Sequence, residues 1–223
     1  MKDQKTIKTI HAQLIRHQQA LRQCSRCPDM IRPVITGYPA VADILLLGQA
    51  PGVHEAEVQR PFGWTAGKTL FQWFASIGVQ EAVFREKVYM AAVCRCFPGK
   101  QANRAGKTGG DRVPNPMEIA NCRPWLEQEL KLLQPPLIIA VGKLAISQFI
   151  PVNKLDQVIG QLHALYLPTH SAELLPLPHP SGASTWHRME PGKTLLQQAL
   201  GKLEQHPAWQ NLLNPPPAPI LQG

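Results

Sequence analysis

Five cysteines are spaced in a way that could hold a metal centre. Cys24 and Cys27 form a C-x-x-C pair, and Cys94, Cys96 and Cys122 follow in two further segments. Two thiolates at this spacing can reach one metal centre, and thiolates from separate segments can complete it. The pair, one of Cys94 and Cys96, and Cys122 would therefore hold a [4Fe–4S] cluster or a structural zinc. The spacing does not distinguish these two, and a redox pair or five unrelated buried cysteines remain the alternatives.

A second group of candidate residues follows two short apolar runs. GQAPG at 48–52 comes directly after one run, and HPSG at 179–182 follows another after a single proline, Pro178. Gln49 carries an amide that can bind a water molecule but cannot take its proton. His179 can donate or accept a hydrogen bond. Taken singly, Gln49 is a turn amide and His179 a structural histidine, so their significance depends on what brings them together.

The segment 95–112, RCFPGKQANRAGKTGGDR, is strongly basic. It contains one acidic residue, Asp111, and five basic residues: Arg95, Lys100, Arg104, Lys107 and Arg112. Its glycines indicate a mobile loop, and its charge suits contact with phosphates. A solvated surface loop is the equally weighted alternative.

The elements that must position these residues alternate between strands and helices. Short apolar runs at 44–47, 88–93, 137–141 and 174–177 are typical of buried strands, and helical or loop-rich sequence separates them. This alternation predicts an α/β fold, a three-layer αβα sandwich with a central, mostly parallel four-stranded sheet. Ligands of such sheets bind at the carboxyl ends of the strands, where the unusual loops lie.

The chain is expected to form one domain over 1–206. Its N-terminal helix is predicted at 5–22 and packs on the domain through a periodic apolar stripe. The segment 207–223 ends in the proline-rich NPPPAPILQG and is predicted to be disordered. GWTAGKT at 63–69 is not a P-loop, because only three residues separate its glycines where the phosphate cradle needs four.

Bulk composition narrows the partners and the compartment. The formal net charge of the 223 residues is +8, which makes an anionic partner plausible, nucleic acid first. No apolar run approaches the length of about 18 residues that a membrane helix needs, and the N-terminus has no signal peptide, so no membrane partner is expected. A reducing cytoplasm is therefore expected, where cysteines favour metal ligation over disulfides.

Five motifs, taken in order, resemble the uracil-DNA glycosylase superfamily, and within it the iron–sulfur families 4 and 5. They are GQAPG, RPFGWTAGKTLFQWF, AAVCRCFPG, NCRPWLEQEL and HPSG, and together with the C-x-x-C pair they cover about residues 20–205. The resemblance implies a repair enzyme that acts on DNA containing a damaged base. It also implies a [4Fe–4S] cluster rather than zinc, with ligands at Cys24, Cys27, Cys96 and Cys122.

The same resemblance implies roles for the pocket residues. Phe62 matches the aromatic that stacks on the flipped base, and His179 matches the histidine that contacts the base carbonyl. Gln49 matches the water-activating position, with Gly48 and Ala50 beside it in the substrate-binding turn. Ser181 and Gly182 suit phosphate contact. The expected DNA-binding side chains are Lys100, Arg104, Lys107, Arg112 and Arg188.

Three departures from the families matter for activity. Gln49 replaces the family 4 glutamate, so no carboxylate stands there. Ala92 lies where family 4 has the asparagine that pairs with the uracil edge, and it is kept as a substrate-binding position. The aspartate of family 5 is absent, with Thr65 nearest its place. Discrimination of uracil from other deaminated bases should therefore be weaker.

The expected function is removal of uracil, and of other deaminated bases such as hypoxanthine, by a monofunctional glycosylase that leaves an abasic site. The missing carboxylate and asparagine favour an alternative, which is a catalytically weak or inactive member that binds damaged or single-stranded DNA. A monomer is expected, and the sequence identifies no protein partner.

Overall fold

The computed structural model describes residues 3–102, 108–182 and 184–214. Its central feature is a five-stranded sheet in the order β2-β1-β5-β7-β6, and two further strands, β3 and β4, form a separate hairpin. The strands are β1 (Ile44–Gly48), β2 (Tyr89–Ala92), β3 (Lys100–Ala102), β4 (Thr108–Asp111), β5 (Leu137–Val141), β6 (His163–Tyr166) and β7 (Ser171–Leu177).

Four strands of the sheet run parallel, and β6 pairs antiparallel with β7 at one edge. Every residue of β1 and β5 is buried. Because successive side chains of a strand point to opposite faces, both faces of the sheet are covered, and a continuous apolar run is the matching sequence pattern. The predicted α/β class with a mostly parallel sheet is confirmed, and the structure adds a fifth strand to the four expected.

Eight helices accompany the strands in the described part of the chain. They are α1 (Gln4–Arg22), α2 (Glu55–Val58), α3 (Thr65–Ala75), α4 (Glu81–Lys87), α5 (Pro116–Leu133), α6 (Lys143–Ile146), α7 (Gly192–Gln205) and α8 (Pro207–Leu213). The start of α5 follows from its sequence, since Asn115 and Glu118 form a capping box around Pro116. Helix α1 begins where the Asp3 carboxylate accepts the Thr6 N–H at 2.8 Å.

The C-terminal segment differs from the expected disordered tail. Residues 207–213 form α8, and its Trp209 is fully buried, with the indole N–H donating to the Ile77 carbonyl at 3.2 Å. Pro207 occupies the first turn, where its missing N–H costs nothing. The domain therefore extends to Leu213, and residues 215–223 lie outside the described part.

The basic segment contains the hairpin β3–β4 where the sequence indicated only a loop. Lys100 pairs with Asp111, and Ala102 pairs with Thr108. The predicted DNA-binding residues Arg104 and Lys107 lie outside the described residues. None of the described helices is long and apolar enough to cross a membrane.

Candidate active site

The carboxyl ends of β1, β2 and β7 meet at a pocket of about 490 Å³. This is the edge of a parallel sheet at which ligands bind. The pocket brings together all the residues that were expected to contact substrate or to catalyse, and Lys100 also lines it. They are Gly48, Gln49, Ala50, Phe62, Ala92, His179, Ser181 and Gly182.

Phe62 lies in the pocket in a backbone conformation that is unusual for its type. Its φ is +52°, in the left-handed region. Its ring lies over Gly48, where an added Cβ would come 2.9 Å from the ring Cζ. A methyl group on Gly67 would likewise collide with the Phe62 carbonyl. The glycines of the pocket therefore give Phe62 its room, and Gly67 belongs to this packing and not to a phosphate loop.

Arg85 fixes the backbone around Phe62. Its guanidinium donates to the carbonyls of Pro61 and Phe62, both at 2.8 Å, and lies 4.5 Å over the Phe71 ring. Glu81, one helical turn earlier, accepts from Arg85 Nε at 2.7 Å. These contacts hold Phe62 in a backbone conformation that it would otherwise seldom adopt. Such strained conformations are typical of functional positions.

Glu55 joins the two loops that form the pocket wall. One carboxylate oxygen accepts the Gly52 N–H at 2.6 Å, and the other accepts the Gly63 N–H at 3.1 Å. Burial raises the pKa of Glu55, while the two backbone hydrogen bonds act in the opposite direction. Two glutamates follow the turn in the sequence, Glu55 and Glu57. Glu57 is exposed, whereas Glu55 is a structural brace of the pocket.

His179 is presented to the pocket in a defined tautomer. Its Nδ1 accepts the Ser181 N–H at 3.2 Å, which leaves the proton on Nε2. Burial lowers the pKa of His179, with the charge of Asp111 raising it and His187 lowering it further. His179 is therefore a neutral imidazole whose Nε2–H is available as a donor. Gly142 packs beneath the ring, where a methyl group would lie 3.2 Å from Cδ2.

The turn after β1 has a fixed backbone and a free side chain. The Gly48 carbonyl accepts from Val93 N–H at 2.9 Å and the Gln49 carbonyl from Cys94 N–H at 3.1 Å. Among the described residues, none forms a hydrogen bond with the Gln49 side-chain amide. Ala92 faces Gly48 across the β1–β2 pair, so the position opposite the turn offers a methyl group and no amide.

The pocket rim contains an aromatic pair that the sequence did not reveal. Trp64 is 46% exposed, and its ring lies 4.5 Å from that of His54 at an interplanar angle of 31°. Trp64 directly precedes α3, and in the sequence it stands inside the RPFGWTAGKTLFQWF motif with no signal of its own. An exposed tryptophan beside a pocket suits stacking with a planar group.

The other predicted DNA-binding residues lie in different surroundings. The Arg112 guanidinium forms two hydrogen bonds with Glu118, at 2.5 and 2.8 Å, and so braces the start of α5. Arg188 lies in a short 3-10 turn beside His187, and it is not among the described residues that line the pocket. Their predicted DNA contacts stay predictions.

Arg95, counted with the basic segment in the sequence, is instead a buried structural residue. It is 2% exposed, and its guanidinium pairs with Glu129 through bonds of 3.0 and 2.5 Å. Glu129 also accepts from Tyr89 Oη at 2.8 Å, and His17 Nε2 lies 3.3 Å away. Arg95 Nε donates to the Ala92 carbonyl at 2.6 Å, so the network ends at the pocket.

Four cysteines line a second cavity, of about 150 Å³. They are Cys24, Cys27, Cys96 and Cys122, the set that the resemblance implied. Cys94 does not line it and is fully buried. A hydrogen bond between Cys94 and Cys122 raises the pKa of Cys94 and lowers that of Cys122 to about 6. Cys94 therefore packs behind the four cysteines that line the cavity.

The cavity suits a bulky anionic group. Arg26, Arg32 and Arg95 line it together with the four thiols, so positive charge surrounds the sulfur atoms. Asn121 Nδ2 lies 3.6 Å from Cys27 Sγ. Burial raises the pKa of Cys96 to about 11, so a metal centre would have to displace a proton there. Among the described residues, no three His, Cys, Asp or Glu side chains converge closely enough to hold a single ion.

Comparison with known proteins gives a family match over most of the chain. A sequence profile described as "Uracil DNA glycosylase superfamily" matches residues 36–204 of the 223. The match spans β1 to α7, and therefore both ends of the pocket, from GQAPG to HPSG.

Curated proteins named Type-4 and Type-5 uracil-DNA glycosylases are similar to the chain. The Type-4 protein of Archaeoglobus fulgidus is 32% identical over 134 residues, 58% of this chain and 59% of the relative. The Type-4 protein of Pyrobaculum aerophilum is 26% identical over 171 residues, 73% of this chain and 80% of the relative. A Type-5 protein of Thermus thermophilus is 30% identical over 131 residues, 54% of this chain and 55% of the relative. The chain thus spans less than two thirds of the Archaeoglobus and Thermus proteins.

Proposed function

The chain belongs to the uracil-DNA glycosylase superfamily, and from this membership we propose that it hydrolyses the N-glycosidic bond of uracil in DNA and leaves an abasic site. The observation that carries the proposal is the meeting of Phe62, His179 and the GQAPG turn in one pocket. The relatives named uracil-DNA glycosylases support the same substrate.

The pocket residues divide the chemistry between them. The target base must leave the stack at a cost of a few kcal/mol, and stacking on Phe62 returns about 1–3 kcal/mol. When the bond between the sugar C1′ and the base nitrogen breaks, its electron pair stays with the base. The His179 Nε2–H can donate to the base carbonyl on which this charge develops, a contribution of about 10²–10³ in rate for one such donor. Gln49 can orient the attacking water with its side-chain amide.

Specificity for uracil is expected to be incomplete. A polar group that pairs with the base edge is what rejects analogues strongly, and Ala92 supplies only a methyl group. Hypoxanthine is therefore a second candidate substrate, since it is also a deaminated base with a carbonyl beside a ring N–H.

A [4Fe–4S] cluster is the proposed cofactor, with Cys24, Cys27, Cys96 and Cys122 as ligands. A zinc ion needs four sulfurs at about 2.3 Å, whereas a cluster spreads its ligands over separate iron atoms and fills a larger cavity. The cavity of about 150 Å³ and its three arginines favour the cluster. When bound, it would tie together the segment after α1, the segment after β2, and α5.

DNA contact is assigned to the pocket rim. Lys100, Ser181 and Gly182 are the proposed phosphate contacts, with Arg104, Lys107, Arg112 and Arg188 retained as further candidates. The exposed Trp64 can stack on a base next to the extruded nucleotide. A monomer acting in a reducing cytoplasm remains part of the proposal.

An oligonucleotide panel tests the function. Anaerobically purified protein is incubated with single- and double-stranded DNA that contains uracil, hypoxanthine, xanthine or no damage, and alkali then cleaves any abasic site. We expect strand cleavage at uracil. Binding to the damaged strands without cleavage on any substrate would instead favour the damage-binding alternative, which the absent carboxylate at position 49 motivates.

A further inference from the structure

The pocket contains carboxylates even though the turn after β1 has none. Among the described residues that line it, two are acidic, Glu55 and Asp111. Glu55 comes from the segment after the turn, and Asp111 ends β4 of the hairpin. Either could in principle replace the carboxylate that Gln49 does not provide.

The hydrogen bonds distinguish the two acids. Both oxygens of Glu55 accept backbone N–H groups, from Gly52 and Gly63, and so have a structural task. One oxygen of Asp111, Oδ1, accepts from Lys100 Nζ at 2.6 Å. Among the described residues, none donates to its second oxygen, Oδ2, and the side chain remains 38% exposed. Within the described part of the chain, Asp111 thus keeps one oxygen without a donor, and its side chain has access to water.

The second oxygen of Asp111 faces the opposite wall of the pocket. A methyl group placed on Gly52 would lie 3.3 Å from Asp111 Oδ2, so the carboxylate faces the GQAPG turn directly. The charge of Asp111 also reaches His179, where it opposes the effect of burial on the imidazole pKa. The oxygen Oδ2 therefore faces the turn that can orient water, and the charge of Asp111 acts on the histidine that is proposed to contact the base.

We propose that Asp111 is a catalytic carboxylate of this pocket, which binds the attacking water together with Gln49 and stabilises the positive charge on the sugar. The inference rests on the proposed glycosylase function and deepens it. The β3–β4 hairpin supplies from outside the sheet the acid that the turn after β1 lacks.

The chemistry is that of an oxocarbenium-like transition state. The C1′–N bond breaks first, its electron pair leaves with the base, and the sugar becomes electron-deficient. A carboxylate beside C1′ stabilises this charge. The water oxygen then bonds to C1′, its proton passes to Asp111 and on to solvent, and the departed base is protonated by solvent. Atoms and charges balance without any further reactant.

The test removes the charge of Asp111 while keeping the shape of its side chain. Single-turnover cleavage of a uracil-containing oligonucleotide is measured for the holoprotein and for Asp111→Asn, with enzyme in saturating excess. We expect the rate to fall by about 10²-fold or more, as for loss of a general base. DNA affinity should be equal or tighter, because the variant loses a negative charge beside a polyanion. Asp111→Glu, which keeps the charge, should recover part of the rate.

Two comparison variants separate catalysis from structure. Asp43→Asn makes the same change at an exposed aspartate directly before β1, at the opposite edge of the sheet, and should leave the rate unchanged. Lys100→Met removes the ion pair and should mainly weaken DNA binding. If Lys100→Met loses as much saturating rate as Asp111→Asn, Asp111 only anchors the hairpin and the inference fails. It fails equally if Asp111→Asn is as fast as wild type.

The two proposals fail in different ways. A wild-type protein that cleaves none of the damaged oligonucleotides overturns the proposed function, and the role of Asp111 falls with it. A wild-type protein that cleaves uracil DNA while Asp111→Asn cleaves it equally well overturns only the role of Asp111.

Discussion

His179 illustrates how one residue acquires its chemistry from its neighbours. The Ser181 N–H occupies Nδ1, and burial lowers the pKa of the ring. A histidine on its own in the sequence gives no sign of either effect. Together they make a neutral donor, which suits a base carbonyl that gains negative charge, because a strong acid is not needed and the donor is already oriented.

This assignment predicts the pH dependence of cleavage. The neutral imidazole is the active form, so protonation of His179 should lower the single-turnover rate as the pH drops through a pKa below the ordinary value of about 6.5. The charge of Asp111 raises the pKa of His179 and the charge of His187 lowers it, while burial has the largest effect and lowers it. Above that pKa the rate should not rise further through titration of His179.

A pH–rate profile of the wild type and of His179→Asn checks this prediction. The variant cannot titrate at this position, so it should be slower and should lose the part of the acidic limb that His179 contributes. An acidic limb that persists unchanged in His179→Asn would assign it to another group. A limb centred above the ordinary histidine value would contradict the lowered pKa.

At the scale of the elements, the buried network around Glu129 links α1, β2 and α5. Burial alone would raise the pKa of Glu129, yet the Arg95 guanidinium and His17 together outweigh burial and lower the pKa. The same arginine bonds to the Ala92 carbonyl and lines the cysteine cavity. One side chain therefore contacts the walls of both sites.

Breaking this pair should destabilise the fold. Glu129→Gln leaves the Arg95 charge buried without its counter-charge, and we expect a loss of about 3–5 kcal/mol in the free energy of unfolding. Denaturant unfolding of the anaerobic holoprotein measures it, with Glu86→Gln as the control. The Glu86 side chain is 66% exposed in its pair with Lys87, and its removal should cost less than about 0.5 kcal/mol. Equal midpoints for the two variants would contradict the structural role of the network.

The sequence predicts an element well when the residues of that element determine its conformation, and poorly when a distant partner does. Continuous apolar runs predict β1, β2, β5 and β7, because burial of both faces demands them. The sequence pattern did not predict strand β6, because HALY is short, partly exposed and at the sheet edge. The glycine-rich TGGD of β4 has low strand propensity and is defined by its pairing. Arg95 looked like a surface charge because its partner Glu129 lies 34 residues away.

Across the whole molecule, the two sites are connected through the segment after β2. That segment follows Ala92, which ends β2 in the pocket, and reaches Cys96 in the cysteine cavity, with Arg95 between them. The sequence predicted both sites from motif order and cysteine spacing. It left Cys94 and Cys96 as alternatives on spacing alone, and the structure distinguishes them by the cavity that only Cys96 lines.

Substitution of these two cysteines tests the ligand set. Cys96→Ala should lose most of the bound iron and the broad visible absorption of the anaerobically purified protein, because a ligand is missing from a thiolate-bound cluster. Cys94→Ala is the matched control, two residues earlier in the same segment and behind the cavity, and should retain both. Iron, sulfide and zinc are quantified for each protein. Stoichiometric zinc in a colourless wild type would refute the cluster, and iron loss in Cys94→Ala with retention in Cys96→Ala would reverse the assignment.

Because Arg95 joins the cavity to the Ala92 carbonyl, loss of the cluster in Cys96→Ala should also lower uracil cleavage, whereas Cys94→Ala should keep it.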